Sequence, residues 1–367
     1  RGHFSTAPHL SPTFRGAVGR LLTELVDASL AASASGTISE GEGEAGDRSP
    51  VAVVELGGGE GDLAAAVLEG WQRTHPDLLE KVVYTIVEIG EPLRALQREA
   101  VSGMVARGWK VGWADDLEEA AAGARPAVIV GNEFVDALPV HVIDVRGEQP
   151  LEAWVVDEEG SGRVTEHWGD LSPEVESELG LLFGGAECEH LRCASRDGFI
   201  ELRPAARSLL RQIAVVMPAG CLLTIDYGGW FPRVAAEEAD EAGEGGATGC
   251  ARPCGLPSKP VHGRTLRGYF RHQLVADLYA RVGHQDLTAD VDFRALDAHG
   301  REAGFETVLY TSVAALLHAG GGEEELHALR MGAGESLDAD REATVLEALM
   351  DEEGLGGSFK VMLQVRE

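Results

Sequence analysis

An open α/β sheet, mostly parallel and with helices on both faces, is the fold this sequence predicts. Two apolar runs, residues 51–54 and 84–87, each end in an acid, Glu55 and Glu88, and a helix-sized segment separates them. That is the spacing of a strand, a crossover helix and a second parallel strand. The turn Gly57-Gly58-Gly59-Glu60-Gly61 follows the first run, and further apolar runs recur at 111–114, 127–131, 221–226 and 358–365.

Residues 51–54 (Val-Ala-Val-Val) read as a buried parallel strand because the run is continuous and does not alternate. Gly57, Gly59 and Gly61 let the chain turn sharply and approach a ligand with no Cβ in the way. The helix read over 63–71 then points its amide-rich start at whatever the turn holds. A dinucleotide turn needs a third glycine where this chain has Asp62, and a P-loop needs a Lys followed by Ser or Thr, which is missing. Glu60 would repel a pyrophosphate, whereas S-adenosylmethionine has no phosphate and carries a positive sulfonium that an acidic turn tolerates. The turn therefore points to S-adenosylmethionine; the alternative is an ordinary glycine-rich connection between strand and helix.

Glu88, at the tip of the second strand, can accept both hydroxyls of a ribose in charge-assisted hydrogen bonds, or it can be a solvated acid that caps the next helix. Asp115 and Asp116 follow the short third run. They can accept from an adenine amino group, or cap the helix that Leu117-Glu118-Glu119-Ala120 begins.

The fourth run delivers the chain into Asn132-Glu133-Phe134-Val135-Asp136-Ala137-Leu138-Pro139, and strand ends are where an open α/β sheet places its chemistry. Methyl transfer is an in-line displacement, so the protein must hold the acceptor atom and take up the proton it loses. Asn132 offers a carbonyl, and Glu133 and Asp136 offer carboxylates that could pair with a guanidinium and aim one of its nitrogens. The alternative has Asp136 capping a turn that Pro139 ends, with Glu133 in solvent. Residues 201–217 read as a helix, 221–226 as the fifth strand and 358–365 as the last. Asp226 and Tyr227, at a strand end, are further site candidates; a buried, satisfied Tyr is the alternative. An insertion at 144–199, strand-like over 151–156, reads as a lid or a partner platform.

With these motifs in place the chain resembles the MidA-like class I methyltransferases, a family that includes the mitochondrial complex I assembly-factor arginine methyltransferase. The resemblance covers nearly the whole chain. It rests on Gly2-His-Phe-Ser-Thr6-Ala-Pro8 with Ser11 and Phe14, on Glu55 to Gly61, on Val87-Glu88 with Pro92-Leu-Arg94 and Gln97, and above all on Asn132 to His141. Ile225-Asp-Tyr-Gly228, Thr265-Leu-Arg-Gly-Tyr269 with His272, and Asp286 to Phe293 extend it. It implies a seven-stranded class I (Rossmann-like) fold with an antiparallel last strand, S-adenosylmethionine as methyl donor and, for the mitochondrial member, a protein arginine as acceptor. It also implies that the block around Thr6 and Pro8 folds over the cofactor. The expected cofactor set is thus Thr6, Pro8, Glu55, Gly57, Gly59, Gly61, Glu88, Asp115 and Asp116, and the expected catalytic set Asn132, Glu133 and Asp136. His272 and Asp292 are expected to be structural. The chain departs from the family at Gly58, where Pro or Ala is frequent, and at Glu60, where a basic residue is. It departs also at His3, His9, Arg264 and Asp290.

The 367 residues, 44% hydrophobic, suit one large core. We expect one decorated domain: 1–34 covering the cofactor, 51–143 binding it, 144–199 inserted, and 200–367 completing the sheet around a loop at 237–258. The formal net charge of −30 argues against nucleic acid and for a cationic protein substrate, although surface acidity also serves solubility. No apolar run reaches the length of a membrane span. Because Arg1 falls inside a family block, an upstream segment with its targeting information is expected. Five cysteines, an odd number, suit a reducing, cytoplasmic setting. Cys250 and Cys254 near His262 lack a second pair at ligand spacing, so no metal is expected. The sequence does not set an oligomeric state. Two other functions fit less of it: a partner-binding assembly factor on a methyltransferase scaffold, and a small-molecule O- or N-methyltransferase. Asp62 argues against a nicotinamide dehydrogenase.

Overall fold

The computed structural model of the chain describes residues 11–34, 50–158, 160, 163–185, 191–192, 194–231, 264–271, 273–331 and 337–367. Thr6, Pro8, His272, Cys250 and Cys254 lie outside these. The described residues form two compact units, one within Asp136–Leu209 and Tyr227–His299, the other within 11–135, Leu210–Asp226 and Gly300–Glu367.

Helix α1 (Pro12–Ala34) opens with Pro12 in its first turn, where a missing N–H costs nothing, and Ser11 Oγ accepts from Phe14 N at 3.1 Å. It buries Phe14, Val18, Leu22 and Val26, one stripe at helical spacing. Strand β1 (Val51–Leu56) is buried along its whole length because it lies between two parallel neighbours. Helix α2 (Asp62–Thr74) buries Leu63, Ala64, Val67, Leu68 and Trp71, and Trp71 Nε1 donates to Thr23 of α1 at 2.8 Å. Next come β2 (Val82–Val87), α3 (Glu91–Val105), β3 (Lys110–Ala114), α4 (Leu117–Gly123) and β4 (Arg125–Asn132). Strands β2 and β4 pair in parallel with β1, and β3 with β2.

In the other unit, β5 (His141–Asp144), β6 (Leu151–Asp157), β7 (Val164–Gly169) and β8 (Phe199–Leu202) form an antiparallel sheet in the order β7-β6-β5-β8. The described part of the insertion thus contributes sheet, with helix α5 (Pro173–Phe183) supplying Val175, Leu179 and Leu182 to a core with Ile143, Val145, Ile200 and Leu202. Buried Glu152 ties this unit together, accepting from Ser172 N and pairing with His141 Nδ1, each at 2.6 Å.

The helix expected from residue 201 starts later. Phe199–Leu202 pairs with β5, and α6 runs Pro204–Val216. The residue before a proline disfavours helical backbone, which leaves 199–202 to the sheet. Strand β9 (Gly220–Gly229) pairs in parallel with β4. Beyond it β10 (Arg267–Phe270), β11 (Gln273–Val275) and β12 (Asp286–Thr288) form a small antiparallel sheet, while β13 (Val291–Asp292) pairs with Gly228 and Gly229. Asp292 caps α7 (Phe293–Glu302), accepting from Arg294 N at 2.9 Å and Ala295 N at 3.2 Å. The chain ends on β14 (Glu306–Ser312) and β15 (Phe359–Arg366), which are antiparallel to each other.

Among the described residues the main sheet runs β14-β15-β9-β4-β1-β2-β3, the expected seven strands with an antiparallel last one, and the short β13 raises the count to eight. Among the described residues no helix is long and apolar enough to cross a membrane.

Candidate functional site

The glycine turn sits where β1 ends. Gly57 N donates to Val87 O at 3.0 Å, which fixes the start of the turn against β2. Gly57, Gly59 and Gly61 have φ of 64°, 52° and 95°, a region that favours glycine. A Cβ on Gly61 would stand 2.9 Å from the Gln97 backbone, whereas one on Gly59 would meet nothing within 4 Å. Gly59 is therefore the open rim of the cradle.

Gln97 of α3 holds the turn from behind. It is fully buried, its Nε2 donates to Gly59 O at 2.9 Å, and its Oε1 accepts from Trp113 Nε1 at 2.9 Å. No spacing rule marks this role, since the partners are 38 and 16 residues away. Arg15 of α1 pairs with Asp62 at 3.2 Å, bringing the start of the N-terminal helix to the end of the turn.

Glu88 follows β2 and is only 8% exposed. One carboxylate oxygen accepts from Gly90 N at 2.7 Å, and Arg94 Nε binds the Glu88 carbonyl at 2.6 Å, so the side chain is aimed before any ligand arrives. Next to it Ile89 is 84% exposed, a large apolar side chain beside an acid suited to a ribose. Such a pair fits an adenosine, whose sugar takes hydrogen bonds and whose ring takes an apolar contact.

Asp116 caps α4, accepting from Glu119 N at 2.9 Å, while Glu119 returns the bond by accepting from Asp115 N at 2.6 Å. The Asp115 carboxylate pairs with Arg94 Nη2 at 2.6 Å. Arg94 thus bridges the ends of β2 and β3. Glu55 lies under the turn, not on it: it is buried, and Tyr84 O–H donates to it at 2.9 Å.

Asn132 ends β4 in this same unit, and Glu133 follows it. Glu133 N donates to Ile225 O at 2.8 Å, Val135 N donates to fully buried Asp226 at 3.0 Å, and Glu133 is held at φ 49°. Asn132 Nδ2 faces Glu133 Oε1 at 3.5 Å, and Asn132 Oδ1 is buried with no hydrogen-bond partner among the described residues. A buried orphan carbonyl costs free energy unless something donates to it, and at a strand end that something is a ligand candidate.

Asp136 belongs to the other unit. It is buried, and its Oδ2 accepts from Tyr227 O–H at 2.5 Å and Thr288 Oγ1 at 2.7 Å. Arg203 caps four carbonyls around it, those of Asp136, Leu138, Ala289 and Asp290, at 2.9 to 3.4 Å. Arg267 lies 4.7 Å over the Tyr227 ring and pairs with Asp290 at 2.7 Å. The family departure at position 290 thus supplies an acid for Arg267. This unit also holds a cavity of about 320 Å3 lined by Glu166, Arg264, Arg267 and Tyr279. Glu166 there already takes Arg264 Nη1 and Tyr279 O–H at 2.8 Å, so its charges answer one another.

A family described as "Putative S-adenosyl-L-methionine-dependent methyltransferase" matches residues 41–241 and 254–311. The chain belongs to this family. A Danio rerio relative, the mitochondrial protein arginine methyltransferase NDUFAF7, is 25% identical over 273 residues, 69% of this chain and 54% of its own length. The chain spans about half the length of that curated relative. A Burkholderia thailandensis structure, described as a "likely methyl transferase" bound to S-adenosyl-homocysteine, is similar at 26% identity and TM-score 0.70, over 99% of this chain and 79% of that one. A native structure of an uncharacterized protein of the same superfamily and organism is similar at 27% identity and TM-score 0.68, over 100% and 82%. The MidA-like resemblance and the class I fold both stand.

Within this methyltransferase family the cradle at Gly59 and the aimed Glu88 fit the S-adenosylmethionine that the family uses. Glu88→Ala is expected to weaken S-adenosylhomocysteine binding by about tenfold to thirtyfold, the worth of one or two charge-assisted hydrogen bonds less what water returns. Calorimetric titration reads it, and an unchanged affinity would remove Glu88 from the site.

Proposed function

We propose that the chain is an S-adenosylmethionine-dependent methyltransferase acting on a nitrogen of a protein arginine. The buried Asn132 carbonyl carries the reading: among the described residues nothing donates to it, and it lies beside Glu133 at the end of the strand next to the cofactor turn. Gly57, Gly59, Gly61 and Glu88 hold the cofactor, with Asp115 at the adenine end and Glu55 beneath the turn. Bound S-adenosylmethionine supplies the methyl group. Asn132 Oδ1 accepts one acceptor N–H and so orients the nitrogen, and the Glu133 carboxylate takes the proton that nitrogen loses. A guanidinium suits a carbonyl and a carboxylate set side by side, since it has several donors in one plane. Asp136, engaged with Tyr227 and Thr288, shapes its own loop. The name of the Danio rerio relative supports arginine, and the net charge of −30 supports a cationic protein partner.

The test is transfer from S-adenosylmethionine to an arginine-rich peptide and to the same peptide with every Arg replaced by Lys, read by mass. A gain of one methyl on the first alone is expected. Transfer to neither, with S-adenosylhomocysteine still bound, would favour the partner-binding assembly factor.

A further inference from the structure

The Phe134 side chain brings the acceptor loop against the cofactor turn. A Cβ placed on Gly57 would stand 2.8 Å from the Phe134 ring, and one on Gly131 would stand 3.4 Å from Phe134 Cβ. The ring therefore packs on both the first residue of the turn and the end of β4. Its neighbours on either side are tied to β9, Glu133 by its N–H to Ile225 O and Val135 by its N–H to the buried Asp226 carboxylate. At the first of those ties, Glu133, the backbone is bent into the left-handed region. That conformation is held by its surroundings and not by local preference. The β9 ties fix the loop on one side; on the other it rests on Gly57.

We propose that Phe134 is a positioning residue that makes occupancy of the cofactor turn set the geometry of Asn132 and Glu133, so that cofactor and acceptor strengthen each other's binding. This rests on the cofactor reading given above. A ligand that fixes the turn removes the freedom of Gly57 to move away from the ring, and the ring then holds the segment between its two β9 ties. By linkage the effect is reciprocal: an acceptor that settles on Asn132 and Glu133 strengthens cofactor binding by the same factor. Packed aromatic contacts suit this, because a gap of even an ångström forfeits much of their attraction. Gly57 has to be glycine twice over, for its positive φ and for the space the ring fills.

Hydrogen exchange of the Glu133 and Val135 amides, with and without S-adenosylhomocysteine, tests the proposal in the full chain. In the parent protein and in Phe134→Tyr, the ligand is expected to slow both amides by about tenfold, within the usual range of coupling between sites. In Phe134→Ala the ligand should still bind within about threefold while the protection disappears. Phe134→Leu, which keeps apolar bulk, serves if the alanine variant does not fold, and should retain only part of the protection. Equal protection in Phe134→Ala or Phe134→Leu overturns the proposal, as does binding without protection in the parent chain. Absence of binding in the parent chain sinks the cofactor reading itself, which calorimetry reports separately.

Discussion

Glu133→Ala is expected to lower methyl transfer about a hundredfold or more while S-adenosylhomocysteine affinity stays within about threefold, since a positioned proton acceptor contributes on the order of a hundredfold to ten-thousandfold. The backbone makes this substitution informative. Glu133 sits at φ 49°, and its N–H is tied to Ile225 O, so the main chain is held by β9 whatever the side chain is. Alanine bears the same left-handed strain as glutamate, so the exchange adds no backbone strain. Glu133→Gly should relieve that strain and stabilise the chain by about 1 kcal/mol while losing transfer equally. Stability and activity then move in opposite directions, which separates a chemical role from a structural one. Chemical denaturation and the peptide assay measure the two. Transfer that survives in both variants would remove Glu133 from the reaction and leave Asn132 as the group facing the acceptor.

What could be read from the sequence is what local chemistry determines. Strands β1, β2, β4 and β9 announce themselves because a buried parallel strand needs an unbroken apolar run, and the glycine turn because its φ values exclude other residues. Asp116 was open between adenine and cap, and its bond to Glu119 N shows the capping. The insertion was harder. Leu151–Asp157 reads as a strand and is one, but its apolar residues are exposed on both faces, Trp154 and Val156 on one and Val155 on the other, so no clean alternation says that it pairs with β7. Asp136 shows a different limit: its hydroxyl partners Tyr227 and Thr288 are 91 and 152 residues away, and only the fold brings them together. Gln97 is the same case at the cofactor turn. The motif blocks named these residues without saying what they touch.

Glu55 should make the protein lose stability as pH rises, the reverse of the usual behaviour of a carboxylate. Burial pushes its carboxyl up from 4.5 to about 7, the Tyr84 hydroxyl pulls it partly back, and Asp62 adds to the rise. In the unfolded chain the same group ionises near its ordinary value. Between about 4.5 and about 7 the folded state therefore holds a proton that the unfolded state has released, and stability falls across that window and levels off above it. The total is up to about 3 kcal/mol, at roughly 1.4 kcal/mol for each unit of displacement. Glu55→Gln keeps an acceptor for the Tyr84 O–H and has no proton to lose. Its urea midpoints at pH 5, 6, 7 and 8 should trace a flatter line than those of the parent chain, with the two drawing together at the acid end. The growing self-repulsion of a chain with net charge −30 acts on both proteins alike, so the difference in slope belongs to Glu55. Parallel lines would mean that the carboxyl ionises as freely in the fold as outside it, and that the buried position under the glycine turn is reached by water.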